Sequence, residues 1–183
     1  MALKSTIFKA NVAIADIDHG YYADHALTLA RHPSETDERM MVRLAALALQ
    51  AHELNDTCGG DGTLAFGAGL SDPDDPDASL TDFTGRKRLW IEVGQPEDKP
   101  LAKACSQADA VTVYPFGPAA EVWWKGIAPK LARLERLLPV YAELLGNLQA
   151  HGLLALDAVR LLEGRGVVPA ALGHRLGDLL AGI

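Results

Sequence analysis

The chain has 183 residues, 49% of them apolar and 22% charged, which is the balance of a soluble globular protein of one domain. No run reaches the roughly 18 apolar residues of a membrane span, and the first six residues lack the apolar core of a signal peptide. A cytoplasmic address with no membrane partner is therefore expected, and two cysteines, Cys58 and Cys105, are too few for a disulfide framework. The 17 basic and 24 acidic residues leave a net charge of −7, which argues against broad, non-specific nucleic-acid binding but not against a local basic site.

In chain order, residues 4–17 alternate apolar and polar side chains, from Thr6 and Phe8 to Val12 and Ile14. That period of two predicts a strand. Asp18-His19-Gly20 signals a turn, and a second strand follows over about Tyr21 to Arg31, so the N-terminus reads as a β-hairpin. Pro33 and Ser34 then open a helix. Ser34 is the expected cap, with Asp37 three residues on. Met40, Leu44, Leu47, Ala51 and Leu54 form its buried stripe, while Glu35, Glu38, Arg39 and Arg43 fall outside the centre of that stripe.

Residues 55–78 hold five glycines, two prolines and six aspartates and read as loop, with one short apolar piece at Leu64–Phe66. Asp72, Asp74, Asp75 and Asp77 cluster within it. They lack the spacing and terminal Glu of an EF-hand, so a solvated acidic loop is expected. Strands follow at Leu80–Thr84 and Lys87–Gly94. The second is apolar throughout Leu89–Val93 except at Glu92, which predicts burial on both faces. A short helix from Pro100, a strand at Val111–Tyr114 and a helix from Gly117-Pro118 carrying Val122, Trp123 and Trp124 complete a strand–helix–strand–helix order. That order implies parallel pairing and an α/β sheet. Residues 131–183 contain 16 leucines and no Ser, Thr or Lys. They read as a divergent, mainly helical segment of the same single domain.

Several standard chemistries have no motif here. There is no P-loop and no G-x-S-x-G elbow. The six histidines show no short His/Cys spacing, which speaks against zinc. The informative set is Glu38 on the first helix, Asp82, which begins or precedes one strand, Glu92 inside the next, and Lys103 on the following helix with Gln107 one turn on. Phosphodiester hydrolysis assisted by Mg²⁺ needs hard oxygen ligands and a cation near the developing charge. Asp82 and Glu92 on neighbouring strands are the candidate metal ligands. A purely structural pairing of Glu92 with Lys103 or an arginine is the alternative.

Three stretches carry a resemblance. They are Leu29–Met41, containing His-Pro-Ser-Glu-Thr; Leu64–Ser71, containing Phe-Gly-Ala-Gly; and Leu89–Pro96, containing Trp-Ile-Glu-Val-Gly, followed by Lys103. Together with the opening residues and Val122–Trp124, they resemble the YaeQ family of bacterial proteins over about residues 1–130. The resemblance implies a variation on the PD-(D/E)xK fold: an N-terminal β-hairpin and a restriction-endonuclease-like core, a mixed sheet flanked by helices. It makes Asp82 the first metal carboxylate and Glu92 the acidic half of the E-x-K element. The lysine of that element is missing, since position 94 is Gly, and Lys103 is its candidate substitute. Gln95 and Gln107 become polar partners, and Ser34, Glu35, Glu38 and Arg39 line the site from the first helix. The chain departs from the family at Ala68, where an arginine is usual, and in its tail.

Three functions are compatible with these residues. One is a Mg²⁺-dependent nuclease. The second is a non-catalytic module that keeps the fold and binds nucleic acid or protein, in which Arg31, Arg39, Arg43 and the Arg86–Arg88 triplet matter more than Glu92. The third is a protein-interaction factor using the acidic loop. Trp123, Trp124 and Cys105 read as core residues.

Overall fold

The computed structural model of the protein describes residues 4–72, 74–134 and 136–139. The hairpin forms as expected: β1 (Thr6–Asp16) pairs antiparallel with β2 (Tyr21–Arg31) from Thr6↔Arg31 to Asp16↔Tyr21. Helix α1 (Asp37–Leu49) follows. Its cap is Thr36 rather than Ser34. Thr36 is extended, with φ −74° and ψ 154°, and its hydroxyl accepts the Arg39 N–H at 3.1 Å. Ser34 is held outside the helix because its Oγ lies 2.6 Å from His32 Nδ1. Asp37 and Glu38 occupy the first turn, where the helix dipole favours negative charge.

Helix α1 ends at Leu49, short of the expected Ala51 and Leu54, and residues Glu53–Cys58, which run into the expected loop, form a short helix α2 that Gly59 ends. Five strands then build one sheet in the order β3-β4-β5-β6-β7. These are β3 (Gly62–Phe66), β4 (Ala78–Asp82), β5 (Lys87–Val93), β6 (Ala108–Tyr114) and β7 (Leu137–Pro139). The β3–β4 and β4–β5 pairs are antiparallel, and β5–β6 and β6–β7 are parallel. Helix α3 (Asp98–Gln107) is the crossover between β5 and β6, and α4 (Ala120–Leu131) follows β6. The expectation for residues 140–183 lies outside the described residues. Among the described residues, no helix is long and apolar enough to cross a membrane.

Alternation along β5 sorts the core into two layers. Leu89, Ile91 and Val93 point to the hairpin and α1, where they join Val12, Leu29, Met40, Leu44 and Leu47. Trp90 points the other way, to Leu101, Cys105, Val111, Val113 and Ile127. Trp123 and Trp124 pack against that second layer, and the Trp123 indole donates to Pro96 O, in line with a core role. Glu92 shares the Trp90 parity at the C-terminal end of β5, where α1 meets the sheet. That end is where charge collects.

Candidate functional site

Three positions on α1 and the segment before it, Glu35, Arg39 and Arg43, are spaced four residues apart and therefore share one face. The turn after β2, closed by Glu35 N–H to His32 O at 2.8 Å, aims the Glu35 carboxylate back along that face. Arg39 Nη1 donates to Glu35 Oε1 at 2.7 Å, and Arg43 Nη1 lies 3.1 Å from Oε2. The fourth member comes from the acidic loop. Asp77 accepts from Arg39 Nη2 on both oxygens at 2.8 Å, and its Oδ2 also accepts the Val93 N–H at 2.8 Å.

Arg43 has no solvent exposure, and Glu35 and Asp77 are buried with it. Its Nη groups also donate to the carbonyls of Ala30, Gly67 and Asp77. Its Nε lies 3.3 Å from Asp77 Oδ1 but is too poorly aligned to donate, so that contact is between charges and not a hydrogen bond. One expectation is corrected here: Asp77 is buried rather than displayed in a solvated loop. Arg43, outside the centre of the apolar stripe, is nonetheless a core residue, so it is not available to a bound partner. A buried guanidinium requires carboxylates and carbonyls around it, and the chain supplies both from four separate segments.

Glu92 lies against this cluster. Asp77 lies one residue before β4, beyond the last pair Ala78↔Ile91, and acts on Glu92 through its N–H and its charge. Burial, and then the Asp77 charge, push the Glu92 carboxyl up to about 7, against the pull of the Asp77 N–H, Trp90 and Arg39. The Trp90 pull is weak, because its indole N–H is buried without a partner inside hydrogen-bonding range. Burial also raises the Asp77 carboxyl, opposed by Arg39 and Arg43. For Arg39, burial disfavours the cation, but Asp77 and Glu35 more than offset it and its pKa rises. Glu35 and Asp77 balance the two arginines, so an ionised Glu92 is the unmatched charge of the group.

The other expected residues lie elsewhere. Asp82 does not face Glu92. The antiparallel register places it at the opposite end of the β4–β5 hairpin, about five residues or 16 Å along the strand from Asp77. Its Oδ1 accepts the Thr84 N–H, the Thr84 hydroxyl and the Arg86 N–H, with the hydroxyl the main cause of a lowered carboxyl pKa. Asp82 is thus a turn former, and the expected Asp82/Glu92 metal pair does not assemble. Lys103 is exposed and pairs with Asp74 at 2.5 Å. Gln107, Ser34 and Glu38 are also exposed, and Gln95 donates to Phe116 O. The Arg86–Arg88 triplet is matched by acids: Arg86 and Arg88 with Asp109, and Lys87 with Asp75. Glu35, Arg39 and Glu92 are therefore the expected residues that the fold brings together. Arg43 and Asp77 complete the group.

A family model described as YaeQ protein matches residues 1–151. This chain belongs to the YaeQ family. It is 43% identical to the uncharacterized protein YaeQ of Salmonella typhi and 41% identical to that of Escherichia coli K12. Each match runs over 144 residues, 78% of this chain and 75% of the relative. The crystal structure of the YaeQ protein from Xanthomonas axonopodis pv. citri superposes with a TM-score of 0.67 at 42% identity, covering 84% of this chain and 80% of that one. The Pseudomonas syringae YaeQ structure gives 0.65 at 36% identity, covering 74% and 70%. The YaeQ match therefore runs past the residue 130 limit read from the sequence.

The Phe-Gly-Ala-Gly stretch of this YaeQ chain has a packing explanation. A Cβ on Gly67 would sit 2.0 Å from Pro76 O and 2.6 Å from Asp75 Oδ2, and one on Gly69 would meet the Arg43 guanidinium at 2.9 Å. Only glycine lets the acidic loop close over Arg43 and deliver Asp77. Gly67→Ala is expected to cost roughly 1–3 kcal/mol by overpacking against backbone, measured as a lowered urea midpoint with an unchanged slope.

Proposed function

We propose that this YaeQ family member acts on a phosphodiester of nucleic acid at the C-terminal end of β5, with a PD-(D/E)xK-like arrangement in which Glu92 is the working carboxylate. The observation that carries this reading is the unmatched Glu92 carboxyl at the C-terminal end of β5, beside the Asp77 N–H and charge and raised to about 7. A carboxyl with that poise can hold a hard cation such as Mg²⁺ or move a proton near neutral pH. Glu92 would hold a divalent ion as its ligand, since the Asp77 oxygens are already taken by Arg39 and the Val93 N–H. Such an ion would supply Lewis-acid stabilisation of phosphoryl oxygens. Arg39, largely buried and bridging Glu35, Asp77 and Val93 O, supplies positive charge where the E-x-K lysine is missing. A guanidinium suits bidentate contact to phosphate.

One observation favours the second reading, a module that binds without cleaving. The Arg39 guanidinium already fills an oxygen-lined position, with both Asp77 oxygens 2.8 Å from Nη2 and Val93 O at 3.2 Å, and it satisfies the carboxylate a cation would need.

The deciding experiment offers labelled single- and double-stranded oligonucleotides with Mg²⁺ or Mn²⁺ to wild type and Glu92→Gln, with thermal melting as the fold control. Hydrolysis predicts metal-dependent cleavage that falls at least 100-fold in a folded Glu92→Gln. Oligonucleotide binding without cleavage, equal in both proteins, supports the module. Neither binding nor cleavage overturns both readings.

A further inference from the structure

A second group of ligating side chains lies at the other end of α1, about 20 Å from Arg39 at 1.5 Å per helical residue. Asp16 ends β1, His19 sits in the hairpin turn, and His52 lies in the bend between α1 and α2. One ligand atom from each falls within 4.8 Å of the others. The histidines are 33 positions apart in the chain, so spacing gave no hint of the group. The hairpin turn lying against the end of α1 creates it.

The turn also orients the carboxylate. Asp16 Oδ1 accepts the Asp18 N–H at 3.0 Å and the His19 N–H at 3.1 Å, which leaves Oδ2 facing the imidazoles. His19 Nδ1 is 2.8 Å and His52 Nδ1 3.8 Å from that oxygen. The two rings stack with centroids 3.7 Å apart and planes inclined by 13°. Leu49 O lies 3.1 Å from His52 Nδ1, a contact that ligation through Nδ1 would replace. Glu53 and Asp56 carboxylates each lie 3.9 Å from His52 Nε2. Two imidazoles therefore stand among three carboxylates, a negative setting with room for a cation.

We propose that Asp16, His19 and His52 form a binding site for one divalent transition-metal ion of the zinc, cobalt or nickel type. Two imidazole nitrogens and one carboxylate oxygen match the donor preferences of these ions and not those of Mg²⁺. Ligand atoms on a tetrahedral ion with bonds of about 2.0–2.2 Å lie roughly 3.3–3.5 Å apart. The 2.8 and 3.8 Å separations from Asp16 Oδ2 bracket that value, and turning the stacked rings out of their parallel planes brings both nitrogens onto one ion. His19 is half-exposed, which leaves the fourth position open to water. The site is independent of the Glu92 cluster and of the reading offered for it.

The test titrates the full-length protein with Co²⁺, following the visible bands of tetrahedral cobalt, and with Ni²⁺ by calorimetry. Wild type, His19→Asn and His52→Gln are compared. His19→Asn replaces an exposed turn residue with another good turn former, so folding is retained. The expected result is one tetrahedral cobalt per chain, bound at least tenfold more weakly in His19→Asn and His52→Gln. Imidazole resonances of His19 and His52 should shift first in wild type, an assignment that holds even if His52→Gln fails to fold. No cobalt band and no calorimetric heat, or binding indifferent to His19→Asn with other histidines shifting, would overturn the proposal.

Discussion

Arg43→Leu should lose about 3–5 kcal/mol of folding stability, the largest effect of any single change to the charge cluster. The side chain is fully buried, and its guanidinium serves Glu35, Asp77 and the carbonyls of Ala30 and Gly67. Leucine fills much of the volume but leaves two buried carboxylates sharing one remaining cation, Arg39. Those carboxylates must then protonate, take in water or open the acidic loop, and each route is unfavourable. Since domains of this size are stable by only about 5–15 kcal/mol, the variant should melt far below wild type or fail to fold at ambient temperature. A compensating Glu35→Gln in the same chain should recover part of the loss, because it removes one of the stranded charges. Urea denaturation of the four proteins in that cycle gives the coupling energy. A loss under 1 kcal/mol for Arg43→Leu would show that the cluster is hydrated rather than sealed.

The same cluster shows how far the sequence could be read. The hairpin, the order of strands and helices and the burial of β5 were legible because they depend on local period and turn residues. Glu92 stood out because a carboxylate interrupts an apolar strand, and Glu35 and Arg39 stood out through the His-Pro-Ser-Glu-Thr resemblance. The burial of Arg43 was not legible because its charge sits beside the apolar stripe and nothing local marks it as buried. Only its four-residue spacing from Arg39 and Glu35 hinted at a ladder. Asp77 was hidden among Asp72, Asp74 and Asp75, which share its composition. What distinguishes it is the β4–β5 register, a non-local property set by where the hairpin turns. The same register separates Asp82 from Glu92, although a ten-residue spacing is compatible with neighbours across a turn. The turn sits at Phe83–Arg86, immediately after Asp82, and so leaves Asp82 at the turn and Glu92 at the far end.

Glu92 should also leave a pH signature in stability. Its carboxyl rises from 4.5 to about 7 on folding, with burial the main cause. Between those values the native state keeps a proton that the unfolded chain has released, so the unfolded state binds fewer protons and stability falls as pH rises. Below the unfolded value both states are protonated and Glu92 contributes no pH dependence. Above about 7 the ionised, unmatched carboxylate exerts its full cost. At 1.36 kcal/mol per pH unit, the interval corresponds to about 3 kcal/mol. Glu92→Gln removes that cost. The variant should match wild type near pH 4.5 and exceed it by about 2–3 kcal/mol at pH 8, roughly 4–12 °C in Tm for a chain of this length. A divalent cation bound at Glu92 would remove the same cost by matching the charge. Mn²⁺ should therefore raise the Tm of wild type at pH 8, have little effect at pH 5 where the carboxyl is protonated, and leave Glu92→Gln unmoved at both. Thermal melts of the two proteins from pH 4.5 to 8, with and without Mn²⁺, separate these contributions. A difference between the proteins that stays flat across this range would show that Glu92 ionises normally, and the argument for a poised carboxyl at the end of β5 would fail with it. A pH-dependent difference that Mn²⁺ leaves untouched would keep the poised carboxyl and direct its role to proton transfer or to contact with a bound phosphate.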